Sequence, residues 1–434
     1  MPTLTTTTTP NPIPLLADWM QARYGGLITL YDRFLRPAHS TIHELVMYEV
    51  ERQTSFINLI ASESLPSPAT FAAFTALTHS QTAEGLLGRR TIPMGAPIDA
   101  LEKLAADTAS TLFGLPHANV QPHTATQANQ AVMIATLHPG DRILTMDIHR
   151  GGHLSHGFGA SLVAQLYEVH TFGWDDDERI DYAGLASTIE HLRPRLVISG
   201  TSAYPRAIDF EAISSWANQF GALHLADISH VAGLICAALH PGVSGADFAT
   251  LSLHKTMCGP RGGVVLSHPD HGEELDTAVF PGVQSALMGN LLVAKSVALS
   301  EATAPAFAAL QQRIVANAHA LASALVEQGI SVVTSGTDTH LVLIRAPEGT
   351  EGDAVQDLLH RGGILCNRHP IPGNTGNTEP RYGNRFGTTW ISQVGFGPED
   401  AGELGSLIGQ IITGKKSPAA AVAACAQLVS RVLG

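Results

Sequence analysis

From about Ala96 to Leu266 the chain alternates short, uninterrupted apolar runs with segments of helix length, and this rhythm constrains its fold more than any other feature. The apolar runs are 118–120, 142–146, 162–166, 196–199, 222–226, 248–253 and 263–266; the clearest helical stretches between them are 125–136 and 210–220. A strand with one wet face alternates polar and apolar residues, whereas a strand covered on both faces is apolar throughout. Seven such strands interleaved with helices predict an α/β fold around a mainly parallel, seven-stranded sheet.

The rhythm changes after residue 287. A long helical pattern runs over 287–328 with a break near Pro305, followed by shorter, antiparallel-looking strands at 331–334 and 340–344 and a Gly-rich stretch at 361–363. Composition makes 373–384 a loop, and 418–433 is apolar at helical spacing. A smaller C-terminal α/β domain over 301–434 is therefore expected beside a large domain over 41–300, which opens with an amphipathic helix at 41–55. Ahead of both, 1–40 reads as a flexible N-terminal segment. Met1 to Pro14 is rich in Thr and Pro and has neither the basic start nor the apolar core of a signal peptide.

Composition narrows the partners. Lys+Arg 25 against Asp+Glu 38 gives a net charge of -13, which argues against nucleic acid and anionic membrane surfaces. No uncharged apolar run is long enough to span a bilayer. Four cysteines without a CxxC spacing and 21 histidines without an HExxH give no metal motif. Reduced thiols suit a cytoplasmic protein.

The chemistry lies at two strand ends. One run stops at Asp227, and another stops just before His254 and Lys255. Adjacent parallel strands deliver such residues to one carboxyl-end rim, where open α/β sheets bind ligands. A lysine and a carboxylate there suit pyridoxal 5′-phosphate (PLP). The amine condenses with the aldehyde, and the carboxylate keeps the pyridine nitrogen protonated so that the ring withdraws electrons. Taken alone, two charges after strands would more often be surface groups.

Neighbouring motifs change that balance: DISHVAGL at 227–234, SLHKTMCGPRGG at 252–263, LIASE at 59–63, AEG at 83–85, NVQPH at 119–123, GGHLSHG at 151–157 and GTDTHL at 336–341. In this order, from about Glu44 to Phe396, they resemble the serine hydroxymethyltransferase family of PLP fold type I. The resemblance implies that Lys255 is the Schiff-base lysine, Asp227 the partner of the ring nitrogen, and His153 the histidine stacked on the pyridine face. His230 and Ser202 would lie near the cofactor's phenolic oxygen. Thr124, Ala125 and Thr126 open a helix and would hold the phosphate, with Ser252 and His254 adding contacts. Gly282, in FPGVQ at 280–284, would lend a phosphate contact across a subunit interface. Arg385 matches the arginine that grips the substrate carboxylate, with Ser62 beside it. Glu84 matches the acid/base glutamate near the substrate hydroxyl, reaching the neighbouring subunit's site. A homodimer with shared sites, acting on small amino acids and formaldehyde, is thus implied.

The chain also departs from the family. Thr82, Thr91 and Ile92 stand where tyrosines are expected, Ser285 and Ala286 replace paired glycines, and His369 replaces an asparagine near the folate pocket. A small side chain at position 82 opens room for roughly a methyl group beside the substrate Cα. The changes at Thr91 and His369 remove contacts for a pterin. The expected reaction is therefore retro-aldol cleavage of α-methylserine to alanine and formaldehyde, without tetrahydrofolate. A tetrahydrofolate-dependent (α-methyl)serine hydroxymethyltransferase, a threonine-type transaldolase and a non-catalytic PLP-binding paralogue remain the alternatives.

Overall fold

The computed structural model describes residues 13–93, 95–371 and 381–434. Seven strands form the central sheet: β1 His117–Asn119, β2 Arg142–Met146, β3 Glu168–Phe172, β4 Leu196–Ser199, β5 Leu223–Asp227, β6 Phe248–Ser252 and β7 Gly263–Ser267. Their order is β1-β7-β6-β5-β4-β2-β3, and β7 alone runs antiparallel to its neighbours. Successive residues of one strand enter different cores: Ile143, Leu225 and Phe248 join one cluster, while Leu144, Ala226 and Ala249 join another. Both faces are covered, which explains the uninterrupted apolar runs.

One predicted strand is misplaced. Residues Leu162–Leu166 form a short helix, opened by Ser161, whose hydroxyl accepts from Ala164 N at 3.3 Å. The strand is the next segment, Glu168–Phe172, which pairs only with β2 at the sheet edge and is partly exposed. An edge strand needs no continuous apolar run, so the apolar pattern pointed to the wrong segment.

The 287–328 pattern divides into helices Gly289–Glu301 and Pro305–Glu327, bent by 81°. Pro305 opens the second helix, where its missing N–H leaves no bond unmade. The expected strand at 331–334 reduces to a bridge at Val332 and a turn at Val333–Ser335. A second sheet joins β8 Leu341–Ile344, β9 Asn367–Ile371 and β10 Arg381–Gly387, antiparallel in the order β8-β10-β9. Of the predicted loop at 373–384, residues 373–380 lie outside the described residues and 381–384 belong to β10.

The N-terminal segment differs from the flexible arm expected of it. Its first 12 residues lie outside the described ones, but Pro14–Leu30 is a helix with Leu16, Met20 and Tyr24 buried. Ile13, Leu16, Ile57 and Leu59 share a core with Leu321, Phe386, Ile408 and Leu428. Ile57–Asn58 also pairs in parallel with Ile364–Leu365. The start of the chain thus completes the core of its C-terminal part.

Two features set the site. Asp227 is in register with Thr250, so the residues just after β6 reach the same rim as the end of β5. Gly200, after β4, has φ +107°, and a Cβ there would stand 1.9 Å from the Asp227 carbonyl oxygen. Only glycine allows that approach.

Candidate active site

The rim encloses a cavity of about 310 Å³, lined by Ser62, Thr124, Ala125, Thr126, His153, Asp227, His230, Ser252, His254 and Lys255, with Thr201, Ser229, Arg261 and Gly262. Ten residues singled out from sequence therefore meet in one pocket.

Asp227 closes β5 and is 6 % exposed. Its Oδ2 accepts from Asn129 Nδ2 and His156 Nε2, each at 2.9 Å, and its Oδ1 accepts from Ser229 N at 3.0 Å. Burial alone would raise this carboxyl. The His156 hydrogen bond, with the His156 and Lys255 charges behind it, outweighs burial and holds it well below the carboxylate range. A fixed negative charge results, suited to a protonated ring nitrogen.

His153 is neutral by construction. Asn129 Nδ2 donates to Ser155 Oγ at 3.0 Å, leaving the hydroxyl proton for His153 Nδ1 at 2.7 Å. Burial, with His156 nearby, lowers His153 to about 4. An uncharged imidazole can lie against an electron-poor ring without repelling it. His230 is also buried and held neutral, well below its ordinary range, by burial and the nearby Lys255 and Arg385 charges. Its Nδ1 lies 3.2 Å from His340 Nε2, and the two rings stack at 5.3 Å.

Lys255 is 8 % exposed, and its Nζ has no hydrogen-bond partner among the described residues. Burial lowers it to about 8, opposed by Asp227 and aided by Arg385 and Arg261. A sizeable neutral fraction at neutral pH makes it a nucleophile. At the other end of the cavity, Thr124 caps helix Ala125–Thr136 by accepting from Gln127 N at 3.1 Å. Ser252 Oγ and His254 Nδ1 are buried without partners beside that helix start. Orphaned polar atoms, a helix N-terminus and the exposed Arg261 form an anion cradle. The set fits PLP: a phosphate at the cradle, a ring beside His153 and Asp227, and the carbonyl carbon at Lys255. His153, His156 and Asp227 converge closely enough to hold a metal ion. Yet His153 Nδ1 and both Asp227 oxygens already accept hydrogen bonds, which suits the organic cofactor better.

Arg385, on β10, is 6 % exposed and has no carboxylate partner among the described residues. Its guanidinium binds Asn367 Oδ1 at 3.1 and 3.2 Å, Ser202 Oγ at 3.1 Å and the Ser202 carbonyl. Burial lowers it to about 10, still charged at neutral pH. A buried cation that meets no carboxylate among the described residues is suited to binding an anion. Ser202 therefore acts on Arg385 and does not line the cavity.

Besides Ser202 and Arg385, which flank the cavity without lining it, three further expected residues lie outside this pocket in their own chain. Glu84 sits on a small hairpin, Gly85–Leu86 with Arg89–Arg90, where it accepts from Thr91 Oγ1 at 3.2 Å and from Ser285 Oγ. Thr82 is exposed, in a separate cavity of about 560 Å³ with Arg90, Ile92 and Pro93. Gly282 is exposed on the turn Ala278–Val283. Sequence reasoning gave no role to Asn129, His156, His340 or Asn367. His156 stood inside GGHLSHG and His340 inside GTDTHL, but only folding shows which histidine meets Asp227 and which meets His230.

The serine hydroxymethyltransferase family model matches residues 35–408. The serine hydroxymethyltransferase of Halorubrum lacusprofundi is 40% identical over 384 residues, covering 87% of this chain and 92% of that protein. A match that spans both the Lys255 rim and the Arg385 strand covers every part of the pocket, and the chain belongs to the serine hydroxymethyltransferase family, whose members use PLP.

Proposed function

We propose that the chain is a tetrahydrofolate-dependent hydroxymethyltransferase that accepts α-methylserine as well as serine, breaking the Cα–Cβ bond in the retro-aldol direction. The observation that carries this reading is Arg385, a buried cation with no acidic partner among the described residues, close enough to Lys255 for its charge to act on that amine. An amino-acid carboxylate fits it, and the name of the Halorubrum relative supports hydroxymethyl transfer. Thr82 supports the wider substrate range.

Bound in the pocket, PLP supplies an electron sink for the pair released at Cα. The chain's own groups do the rest. Arg385 fixes the carboxylate, with Ser62 beside it, and so selects which Cα bond aligns with the ring. Asp227 stays ionised and would pair with the ring nitrogen of the bound cofactor. Lys255 gives up and recovers a proton close to neutral pH. His340 orients His230. Glu84, presented on its hairpin to a neighbouring subunit of a homodimer, moves the proton of the substrate hydroxyl there.

A folate-independent aldolase is the second reading, favoured by Thr91 and His369. His369 is partly buried, and burial with the nearby Arg385 charge lowers it to about 4, so it offers a neutral ring where an amide was expected. Glycine release from serine and alanine release from α-methylserine, each with and without tetrahydrofolate, separate the two. A strict folate requirement supports the transferase, and full rates without folate support the aldolase. No α-methylserine turnover removes the wider range, and no turnover of either substrate overturns both.

A further inference from the structure

Lys295 lies on helix Gly289–Glu301, is 1 % exposed and has no part in the chemistry above. Its Nζ donates to the carbonyls of Val120 at 2.7 Å, Pro122 at 2.7 Å and Gly263 at 2.9 Å. Burial lowers it to about 7 against the pull of Glu102, yet three acceptors can be served only by the three protons of the charged form. A buried ammonium is retained where such bonds compensate its lost hydration.

These carbonyls belong to the two segments that frame the phosphate end of the pocket. Pro122 leads through His123 into Thr124, Ala125 and Thr126, and Gly263 follows Arg261 and Gly262. Gly263 N also donates to Pro122 O at 3.1 Å, so both segments meet at one oxygen under Lys295. The packing leaves no slack. A Cβ on Gly263 would stand 2.3 Å from Thr124 O, and one on Gly262 would stand 2.5 Å from Lys295 Cε. Turning the Pro122 carbonyl toward Lys295 turns the His123 N–H the other way. There it meets Gln127 Oε1 at 2.6 Å, tying the turn to the first turn of the helix.

We propose that Lys295 is a positioning residue for the cofactor phosphate: its ammonium clamps the Val120–Pro122 and Gly263 carbonyls and thereby sets the Thr124–Thr126 cradle. The test compares PLP with pyridoxal, which lacks the phosphate, by equilibrium titration of the full-length apo chain. Lys295→Met is expected to raise the dissociation constant for PLP about tenfold or more and that for pyridoxal by about twofold at most. Lys295→Gln keeps two uncharged donors, so its PLP loss falls between wild type and Met. It carries the test if the Met variant does not fold. Equal weakening of both ligands marks a merely structural lysine and overturns the proposal. So does unchanged PLP affinity in a folded variant.

Discussion

The Lys255 pocket and the Glu84 hairpin are both firmly built, but the hairpin takes no part in lining the pocket of its own chain. Around Lys255 the charged groups are buried and held: Asp227 accepts from three donors, and Arg385 is braced by the half-buried Asn367 and Ser202. The hairpin is anchored from beneath, where buried Arg90 binds Asp99 at 2.8 Å, Glu102 and the Gly85 carbonyl, and Gln121 reaches the same carbonyl at 3.1 Å. Yet among the described residues the Glu84 carboxylate hydrogen-bonds Thr91 and Ser285 alone, and Thr82 and Ile92 are exposed. A firm mount under an acid that lies outside its own chain's pocket suits the proposed shared site, in which the cofactor half of the chemistry is preorganised inside one chain and Glu84 serves another.

Breaking the pocket side should have the largest effects. Lys255→Ala should remove the covalent cofactor absorbance and all turnover while leaving far-UV circular dichroism unchanged. Asp227→Ala, which deletes a charge aimed at the ring nitrogen, should lower kcat by roughly 10³-fold with cofactor still bound. Arg385→Met should lower kcat/KM by roughly 10²- to 10³-fold, mostly through KM, because a bidentate charged pair is lost. A kcat loss with unchanged KM would remove Arg385 from the carboxylate.

Combining defects tests the other half. If Glu84 serves its neighbour's pocket, co-expressed Lys255→Ala and Glu84→Gln chains form mixed dimers with one intact site each. Random pairing then restores about a quarter of wild-type activity although each homodimer is crippled. If Glu84 serves its own chain, no mixed dimer has an intact site and activity stays at the level of the parents. Thr82→Tyr tests the same edge more gently. Refilling the space should cut kcat/KM for α-methylserine relative to serine by about 10- to 100-fold, the usual reach of a methyl-sized change.

The two halves were not equally legible in the sequence. The Lys255 rim could be read because its parallel strands are buried on both faces and end at Asp227 and His254–Lys255, positions that topology alone brings together. What could not be read there were the partners: Asn129 reaches Asp227 across 98 positions and Asn367 reaches Arg385 across 18, and neither carries a local pattern. The edge strand at Glu168–Phe172 and the helix Pro14–Leu30 escaped for a related reason. The first is only partly covered, and the second owes its burial to a core supplied largely by residues after 318. At the hairpin, identity was legible but direction was not. Thr82, Glu84 and Thr91 follow one another in the text, whereas the side on which they face solvent is fixed by Arg90 and Gln121.

The smallest expected effect sharpens the comparison most cleanly, because it reads the pocket's electrostatics without turnover. Only the neutral amine of Lys255 captures PLP, so the rate of capture by the apoenzyme should rise with pH through a midpoint at about 8 before levelling off. At pH 7 it should run at about one tenth of the plateau. Burial sets this midpoint, Asp227 pulls it up, and Arg385 and Arg261 push it down. Asp227→Asn should therefore move the midpoint to lower pH, and Arg385→Met should move it higher. Glu84→Gln should also move it to lower pH, by less than Asp227→Asn, if Glu84 reaches the neighbouring chain's pocket, and should leave it in place if Glu84 stays with its own chain. Stopped-flow absorbance at a series of pH values measures all four proteins. A wild-type midpoint near that of an exposed lysine would break the claim that one chain alone prepares Lys255. A shift in the Glu84→Gln protein would show that the hairpin's charge reaches a Lys255, joining the two halves electrostatically.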